Sequence, residues 1–454
     1  MTTTTFDLSA VKLQHGTFYT AVWGCQMNVY DGERISDLLC ASGLQQLATP
    51  QGADVIVLIT CAVRAKAEDK VFNQLLSWRH QGIINDHTII ALGGCVGAEL
   101  TQKIIELSPD VNIVFGPRTA HRLPQLIRKF KTEGVPQIAV EADALEKFDA
   151  LPEQGARGVS AFVTIMEGCS NKCSYCIVPY TRGEEESRPL ESIIAEVQGH
   201  IAHGVKEIHL LGQNVNSYRG LDENGHTVHF STLLYAVAAV EGVERIRFTT
   251  SNPMEFTDDI IEAIADLPLI ANHVHIPVQS GSDRILQLMR RHYRADDYRH
   301  LIAKIRAVRP NIHVSSDFIV GFPGETDEDF AHTMQLARDI GFDQSFSFIY
   351  SKRPGTPAAL MDDPTPLEVK KERLYQLQAL LEESAATIAK SLDGTVQEVL
   401  VEGTSRKNSA ELKARASSNH IVVFEGSPEL IGQMVRVKIT QVMAHTLKGE
   451  LVHA

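Results

Sequence analysis

Cysteine is scarce in this chain: there are seven among 454 residues, an odd number. A disulfide scaffold would need more thiols in closer pairs, so the count points instead to metal binding or catalysis in a reducing compartment. Tryptophan is rarer still, at two. No uninterrupted apolar run approaches the roughly 20 residues that span a bilayer. The opening MTTTTFDLSAVKLQHG has no cationic segment followed by an apolar one, so neither a membrane span nor a signal peptide is expected. An excess of positive charge is also missing. The net charge of −13 opposes a polyanionic partner, and any nucleic-acid contact must come from local patches. The balance is uneven: residues 390–454 carry eight Lys and Arg against seven Asp and Glu, a net of +1, which leaves −14 for the remainder. The expected setting is cytoplasmic.

What is present reads as a globular protein, 44% hydrophobic and 22% charged, too long for a single core. TFYTAVWGC, ADVIVLITC and HTIIALGGC have the Val, Ile and Ala content of buried parallel strands, and amphipathic segments separate them. An open parallel α/β sheet domain is expected over 16–130. Beyond a polar connector, SAFVTIMEGC, KEIHLLGQNV, RIRFTTSNP, NHVHIPVQSG, HVSSDFIVGFPGE and QSFSFIYSKRPG are six strand candidates, most of them separated by helix-length runs. This predicts a parallel barrel or partial (β/α)6 barrel over 155–385, with the chemistry on loops at the C-terminal strand ends. PLEVKKERLYQLQALLEESAATIAKSL has Leu374, Leu377, Leu380 and Leu381 at helical spacing, which predicts one long helix. Short β-like runs with polar turns then predict a small β-barrel over 388–452.

Three cysteines fall within eight residues, at Cys169, Cys173 and Cys176 in GCSNKCSYC. A closed zinc site takes four ligands, and no histidine or further cysteine lies nearby. Four cysteines are usual for a [4Fe–4S] cluster, so three leave one iron open to another ligand. A zinc knuckle completed from afar is the alternative. Cys25, Cys61 and Cys95, 36 and 34 residues apart, each end a predicted parallel strand. The C-terminal ends of neighbouring parallel strands converge on one crevice, so these three are read as a second open-iron set, or else as core cysteines that merely finish strands. Cys40, within ISDLLCASG, is expected to be a buried small hydrophobe.

CSNKCSYC, with Tyr175 before its last cysteine, resembles the signature of radical S-adenosylmethionine (SAM) enzymes. In that superfamily SAM occupies the open iron and is cleaved to a 5′-deoxyadenosyl radical. Together with WGCQMN, MEGCSNKCSYCIVPYTRGEEESRP, LLGQNVNSY, SDFIVGFPGET and YSKRPGTPAA, it makes nearly the whole chain similar to the methylthiotransferases, and most similar to their branch acting on tRNA. The C-terminal module resembles a TRAM domain, an RNA-binding barrel. The resemblance implies two [4Fe–4S] clusters, SAM, an electron-donor protein and a likeness to enzymes that place a methylthio group at C2 of N6-isopentenyladenosine at position 37 of tRNA. A monomer is expected. Such a C2–H is neither acidic nor readily displaced, so acid/base groups would be of little use and none is assigned. Other members act on threonylcarbamoyladenosine in tRNA or on a ribosomal protein, and these are the alternative substrates. An RNA-binding module with structural or redox-sensing clusters is a further alternative.

The family likeness points to Gly212, Gln213 and Asn214 at the SAM amino group, with Tyr175 and Glu185 as further cofactor contacts. Arg182 and Glu185 contact SAM or substrate, or else belong to a solvated turn. The run Gly321–Glu325 lies near the adenosyl group or is a plain turn. Arg290 and Arg291, with Arg294 and Arg299, form a candidate phosphate strip or a solvated helix face. Arg406, Lys407, Lys413 and Arg415 mark a basic turn for RNA. The chain departs from the family pattern at Ile59, where asparagine is usual, at Ala62 and Val63, and at Asn252, where histidine is frequent.

Overall fold

The structure is a computed structural model that describes residues 13, 16–60, 65–95, 104, 106, 108–140, 147, 148, 152, 155 and 158–452. These fall into two compact units. The first takes the described residues up to Gly155 together with Met166–Asn171 and Ile177–Arg188, and the second takes the rest.

The first unit is built on a six-stranded sheet of β1 (Gly16–Trp23), β2 (Leu44–Gln46), β3 (Val55–Thr60), β4 (Ile89–Gly94), β5 (Val111–Phe115) and β6 (Gln137–Ala139), in the order β2-β1-β3-β4-β5-β6. Every pair is parallel. β3 and β4 are buried along their whole length, as expected of strands covered on both faces. Side chains alternate between the two layers. Val55, Val57 and Ile59 join Phe18, Ile35, Leu39 and Phe115 on one side, and Ile56 and Leu58 join Leu75, Trp78 and Leu92 on the other. The helix Gln26–Ala41 supplies the first layer and Ala65–His80 the second. Cys40 is exposed, not buried as expected: it follows the inward-facing Leu38 and Leu39 and points off their face. Within this unit lies a short antiparallel pair, β8 (Met166–Glu167) with β9 (Glu186–Ser187).

The second unit contains the partial barrel. β7 (Ser160–Thr164), β10 (Glu207–Leu211) and β13 (Arg245–Phe248) form one parallel ladder, flanked by a small antiparallel pair, β11 (Arg219–Leu221) and β12 (Thr227–His229). A parallel bridge between Ile246 and Ile270 leads on to β14 (His273–His275), which pairs with β15 (His313–Ser315). β16 (Asp317–Val320) pairs with β17 (Phe346–Ile349). The stretch HVSSDFIVGFPGE, expected as one strand, is thus two. It breaks at Ser316, whose hydroxyl donates to Ile276 O at 3.0 Å and accepts from Val278 N at 2.9 Å. The chain pairs with β14 before this break and with β17 after it, as a sheet curving into a barrel requires. The long helix forms at Leu367–Ser391, with Leu377 and Leu381 buried.

β18 (Val396–Thr404), β19 (Glu411–Ala416), β20 (Ile421–Glu425), β21 (Met434–Val442) and β22 (Leu447–Leu451) close into a barrel. Strand alternation fills it: Leu412, Ala414 and Ala416 of β19 meet Val422, Phe424, Val437 and Ile439. Buried charges join this module to the partial barrel. Glu207 Oε2 accepts from Arg247 Nε at 2.8 Å and from Arg245 Nη1 at 3.4 Å. The two guanidinium groups donate onward to the carbonyls of Glu398, Arg415, Ala416 and Ser417. Asp343 adds a second tie, at 2.6 Å from His313 Nδ1 and 3.6 Å from His420 Nε2.

Truncating Glu207 would strand two buried cations, a loss of about 3–5 kcal/mol. Glu207→Ala is therefore expected to lower the urea midpoint of the full-length chain markedly, while Glu398→Ala, at a largely exposed carboxylate, leaves it nearly unchanged.

Candidate active site

The C-terminal edge of the first sheet brings together the segments of Cys25 and Cys95. Cys25 follows β1 and stands at the N-terminus of the helix Gln26–Ala41. Its Sγ donates to Asn28 Oδ1 at 3.0 Å, and Asn28 Nδ2 donates to Thr60 O at 3.0 Å. Thr60 O, at the end of β3, also accepts from Cys95 N at 3.1 Å. One carbonyl therefore ties the Cys25 and Cys95 segments together. Gly94 makes the approach possible. It has φ of +105°, and a Cβ there would overlap Thr60 O, so only glycine fits. Cys61 follows Thr60 directly in sequence and lies outside the described residues. Burial pushes the Cys95 thiol upward, and the Arg182 guanidinium opposes that shift.

Arg182 is buried and is not part of a solvated turn. It sits in the first unit, 2% exposed, and uses all three of its nitrogens. Nε donates to Cys95 Sγ at 3.2 Å, Nη1 to Glu167 Oε1 at 3.0 Å and Nη2 to Asp31 Oδ2 at 2.9 Å. Lys147 Nζ bridges the same two carboxylates, at 2.7 Å from Asp31 and 2.6 Å from Glu167. Burial works against the Arg182 charge, yet Cys95, Asp31 and Glu167 hold its pKa well above the usual value.

In the cluster loop, Gly168 precedes Cys169 with φ of +81°, where a Cβ would overlap Glu184 O. Cys169 N donates to Gly183 O at 3.1 Å, and Glu185 N lies 3.3 Å from Ser170 Oγ. In the second unit, Cys176 N donates to Cys173 O at 3.1 Å, and Ser174 is fastened to Met289 O and Leu288 O. Arg291 Nη1 lies 3.5 Å from Cys173 Sγ, and Nη2 donates to Pro277 O at 3.1 Å. The structure thus groups Arg291 with the cluster loop and not with a surface strip. Arg294, itself largely exposed, pairs with Asp283, and Arg299 with Asp296 and Asp339; Arg290 is exposed at the helix end, with φ of +58°. Tyr175 packs against the cluster of Ile285, Met289, Phe322 and Tyr350.

At the end of β10, Gly212 and Asn214 are buried and Gln213 is half-buried. The Asn214 side chain donates to Glu255 and accepts from Asn252 N at 3.1 Å. Asn252 itself caps the next turn by accepting from Met254 N. Glu325 accepts from Gly321 N at 3.0 Å and from Arg373 Nη1 at 2.7 Å, which fastens the GFPGE turn to the long helix. In the small barrel Arg406 and Lys407 are exposed, whereas Lys413 and Arg415 both pair with Glu402.

Sequence reasoning missed a set of histidines on one face of the barrel strands. Ser315 Oγ lies 2.9 Å from both His273 Nε2 and His275 Nδ1, and His275 Nε2 lies 3.4 Å from Asp317. The ring of His209 lies 5.4 Å from that of Phe162. The alternation in HVH was the available signal, since residues two apart share a strand face.

An open parallel sheet with cysteines at its strand ends, a parallel partial barrel bearing C-x3-C-x2-C, and a closed five-stranded barrel define a radical SAM enzyme class. Residues 163–337 match the radical SAM superfamily, 17–116 match uncharacterized protein family UPF0004, and 390–452 match the TRAM domain. Proteins named tRNA-2-methylthio-N(6)-dimethylallyladenosine synthase are similar over nearly the whole chain. The one from Methylococcus capsulatus is 51% identical, with 96% of this chain and 95% of the relative covered, and the one from Xanthomonas oryzae is 50% identical, with 98% and 93% covered. The chain belongs to the tRNA-2-methylthio-N(6)-dimethylallyladenosine synthase family. Among solved structures, the radical SAM methyltransferase TsrM from Kitasatospora setae matches with a TM-score of 0.55 at 13% identity, covering 84% of this chain and 78% of that one. The cobalamin-dependent radical enzyme OxsB matches at 0.53 and 13%, covering 84% of this chain and 58% of that one. At such identities these two show the fold alone.

Burial, followed by the nearby Arg247, lowers His209 to about 3, and burial likewise lowers His273 and His420. These imidazoles stay neutral when folded but take up a proton when unfolded below about pH 6.5. Stability from them is therefore complete above that pH and falls as the pH drops from about 6.5 toward 3. Thermal unfolding as a function of pH is expected to show this decline, with a shallower slope in His209→Asn.

Proposed function

We propose that the chain replaces the C2 hydrogen of N6-isopentenyladenosine at position 37 of tRNA by a methylthio group, using two [4Fe–4S] clusters and two SAM. The observation that carries this reading is the pairing of two three-cysteine sets in a chain half identical to synthases of that name over nearly its whole length. The donor chemistry fits: each set offers three thiols, one short of a closed site. Cys169, Cys173 and Cys176 would hold one cluster, and Cys25, Cys61 and Cys95 the other. Bound there, these groups and SAM supply a carbon radical able to attack an unactivated C2–H and a site to carry sulfur.

The chain's own groups do the rest. Gly212, Gln213 and Asn214 at the end of β10 would receive the polar end of SAM, the buried Gly212 allowing close backbone approach. Tyr175, inside the cysteine motif, packs on Ile285, Met289 and Phe322, and Glu185 would contact the cofactor from the segment whose backbone meets Ser170. The half-buried His275 and Asp317 offer polar groups to a base inside the barrel. Arg290, Arg406 and Lys407 are the exposed cations for phosphate contact, and Lys413 and Arg415 contribute once Glu402 is displaced. The functional regions are 16–130, 155–385 and 388–452. The chain works as a cytoplasmic monomer with an electron-donor protein. Threonylcarbamoyladenosine and a ribosomal protein have no observation in their favour.

Reconstituted protein is expected to hold about eight irons, from two four-iron clusters. Cys173→Ala should abolish both SAM cleavage and product, whereas Cys95→Ala should leave 5′-deoxyadenosine measurable without methylthio transfer. About four irons in the parent chain would refute the second cluster. In a deletion strain, tRNA nucleoside mass spectrometry should show isopentenyladenosine accumulating without its methylthio derivative, and an unchanged profile would overturn the assignment.

A further inference from the structure

Arg182 lies outside the cysteine motifs, yet its contacts lead to one of the N-terminal cysteines. A guanidinium presents a rigid planar fork of donors, and here each of its nitrogens has a different acceptor. Two of these, Asp31 and Glu167, are carboxylates no more than 2% exposed, and they fix the plane of the group. The third nitrogen, Nε, is thereby aimed at Cys95 Sγ. Lys147 completes the arrangement: with its Nζ on both carboxylates, two cations face two anions. The carboxylates are neutralised without drawing on the arginine alone, so the charge of Arg182 remains effective toward the sulfur. A pair formed only for folding would need neither the second cation nor the sulfur contact.

We propose that Arg182 is a positioning residue for the N-terminal cluster. Its N–H···S hydrogen bond orients the Cys95 thiolate and withdraws charge from it, which raises the cluster's reduction potential, and Asp31, Glu167 and Lys147 act by holding the guanidinium in place. Hydrogen bonds to the sulfurs and net charge are recognised determinants of such potentials. The proposal rests on the reading that Cys25, Cys61 and Cys95 hold a cluster.

The test uses the full-length chain with Cys169, Cys173 and Cys176 changed to Ala, so that only the N-terminal cluster reports. About four irons in this background confirm that reading, and none would refute it independently of Arg182. Three variants are then compared by iron content, circular dichroism and redox titration followed by electron paramagnetic resonance. Arg182→Lys keeps the charge and loses the fork. Arg182→Gln loses the charge. Arg182→Gln combined with Asp31→Asn loses the N–H···S bond but leaves Lys147 and Glu167 balanced, which spares the fold. In every variant that folds as the parent does, the midpoint potential is expected to move negative, least in Arg182→Lys, or the cluster to be lost outright. A folded variant that keeps its four irons at the parental potential would overturn the proposal. Misfolding of all three, including the charge-balanced pair, would also overturn it, because the network would then serve the fold.

Discussion

A parallel strand delivers its C-terminal end to the same edge of the sheet as every parallel neighbour, and this constraint organises both units. In the first, β1 and β4 end just before Cys25 and Cys95, and the carbonyl that closes β3 joins the two segments through Asn28 Nδ2 and Cys95 N. In the second, β7 and β10 run parallel, and β10 is followed directly by the Gly212–Asn214 turn. The chemistry therefore collects at strand ends, where backbone leaves the ladder and its polar groups become available.

Burying charge is the second organising choice. Asp31, Glu167, Lys147 and Arg182 are almost fully enclosed, as are Glu207, Arg245 and Arg247. Such groups contribute little net stability compared with apolar packing, but removing one partner is costly because it leaves an uncompensated charge. The two networks therefore define geometry more than they add stability. One aims a donor at a thiol. The other seats the terminal barrel through carbonyls that a purely apolar contact would leave unsatisfied.

Much of the molecule was legible in the chain. Runs such as VIVLIT became fully buried parallel strands because an apolar run of that length has few other stable environments. The alternation in ELKARA became a barrel strand with Leu412, Ala414 and Ala416 inward. Position 40 was misread because a cysteine beside two leucines looks buried until the helix face is known, and HVSSDFIVGFPGE concealed a change of partner at Ser316. A row of arginines does not say which groups stand opposite it: here Asp283 pairs with Arg294, Asp296 and Asp339 pair with Arg299, and Arg291 turns to Cys173.

By itself the sequence determined the order of the strand-rich regions and the family to which the chain belongs, because strand periodicity and short motifs are local properties. The tertiary structure alone decided that Arg182 serves Cys95, 87 residues away, that Arg291 attends Cys173, and that Glu207 secures two arginines beneath the small barrel. A charged side chain carries no local record of its partner. Its destination is set by which buried counter-charges the folded chain brings within hydrogen-bond reach.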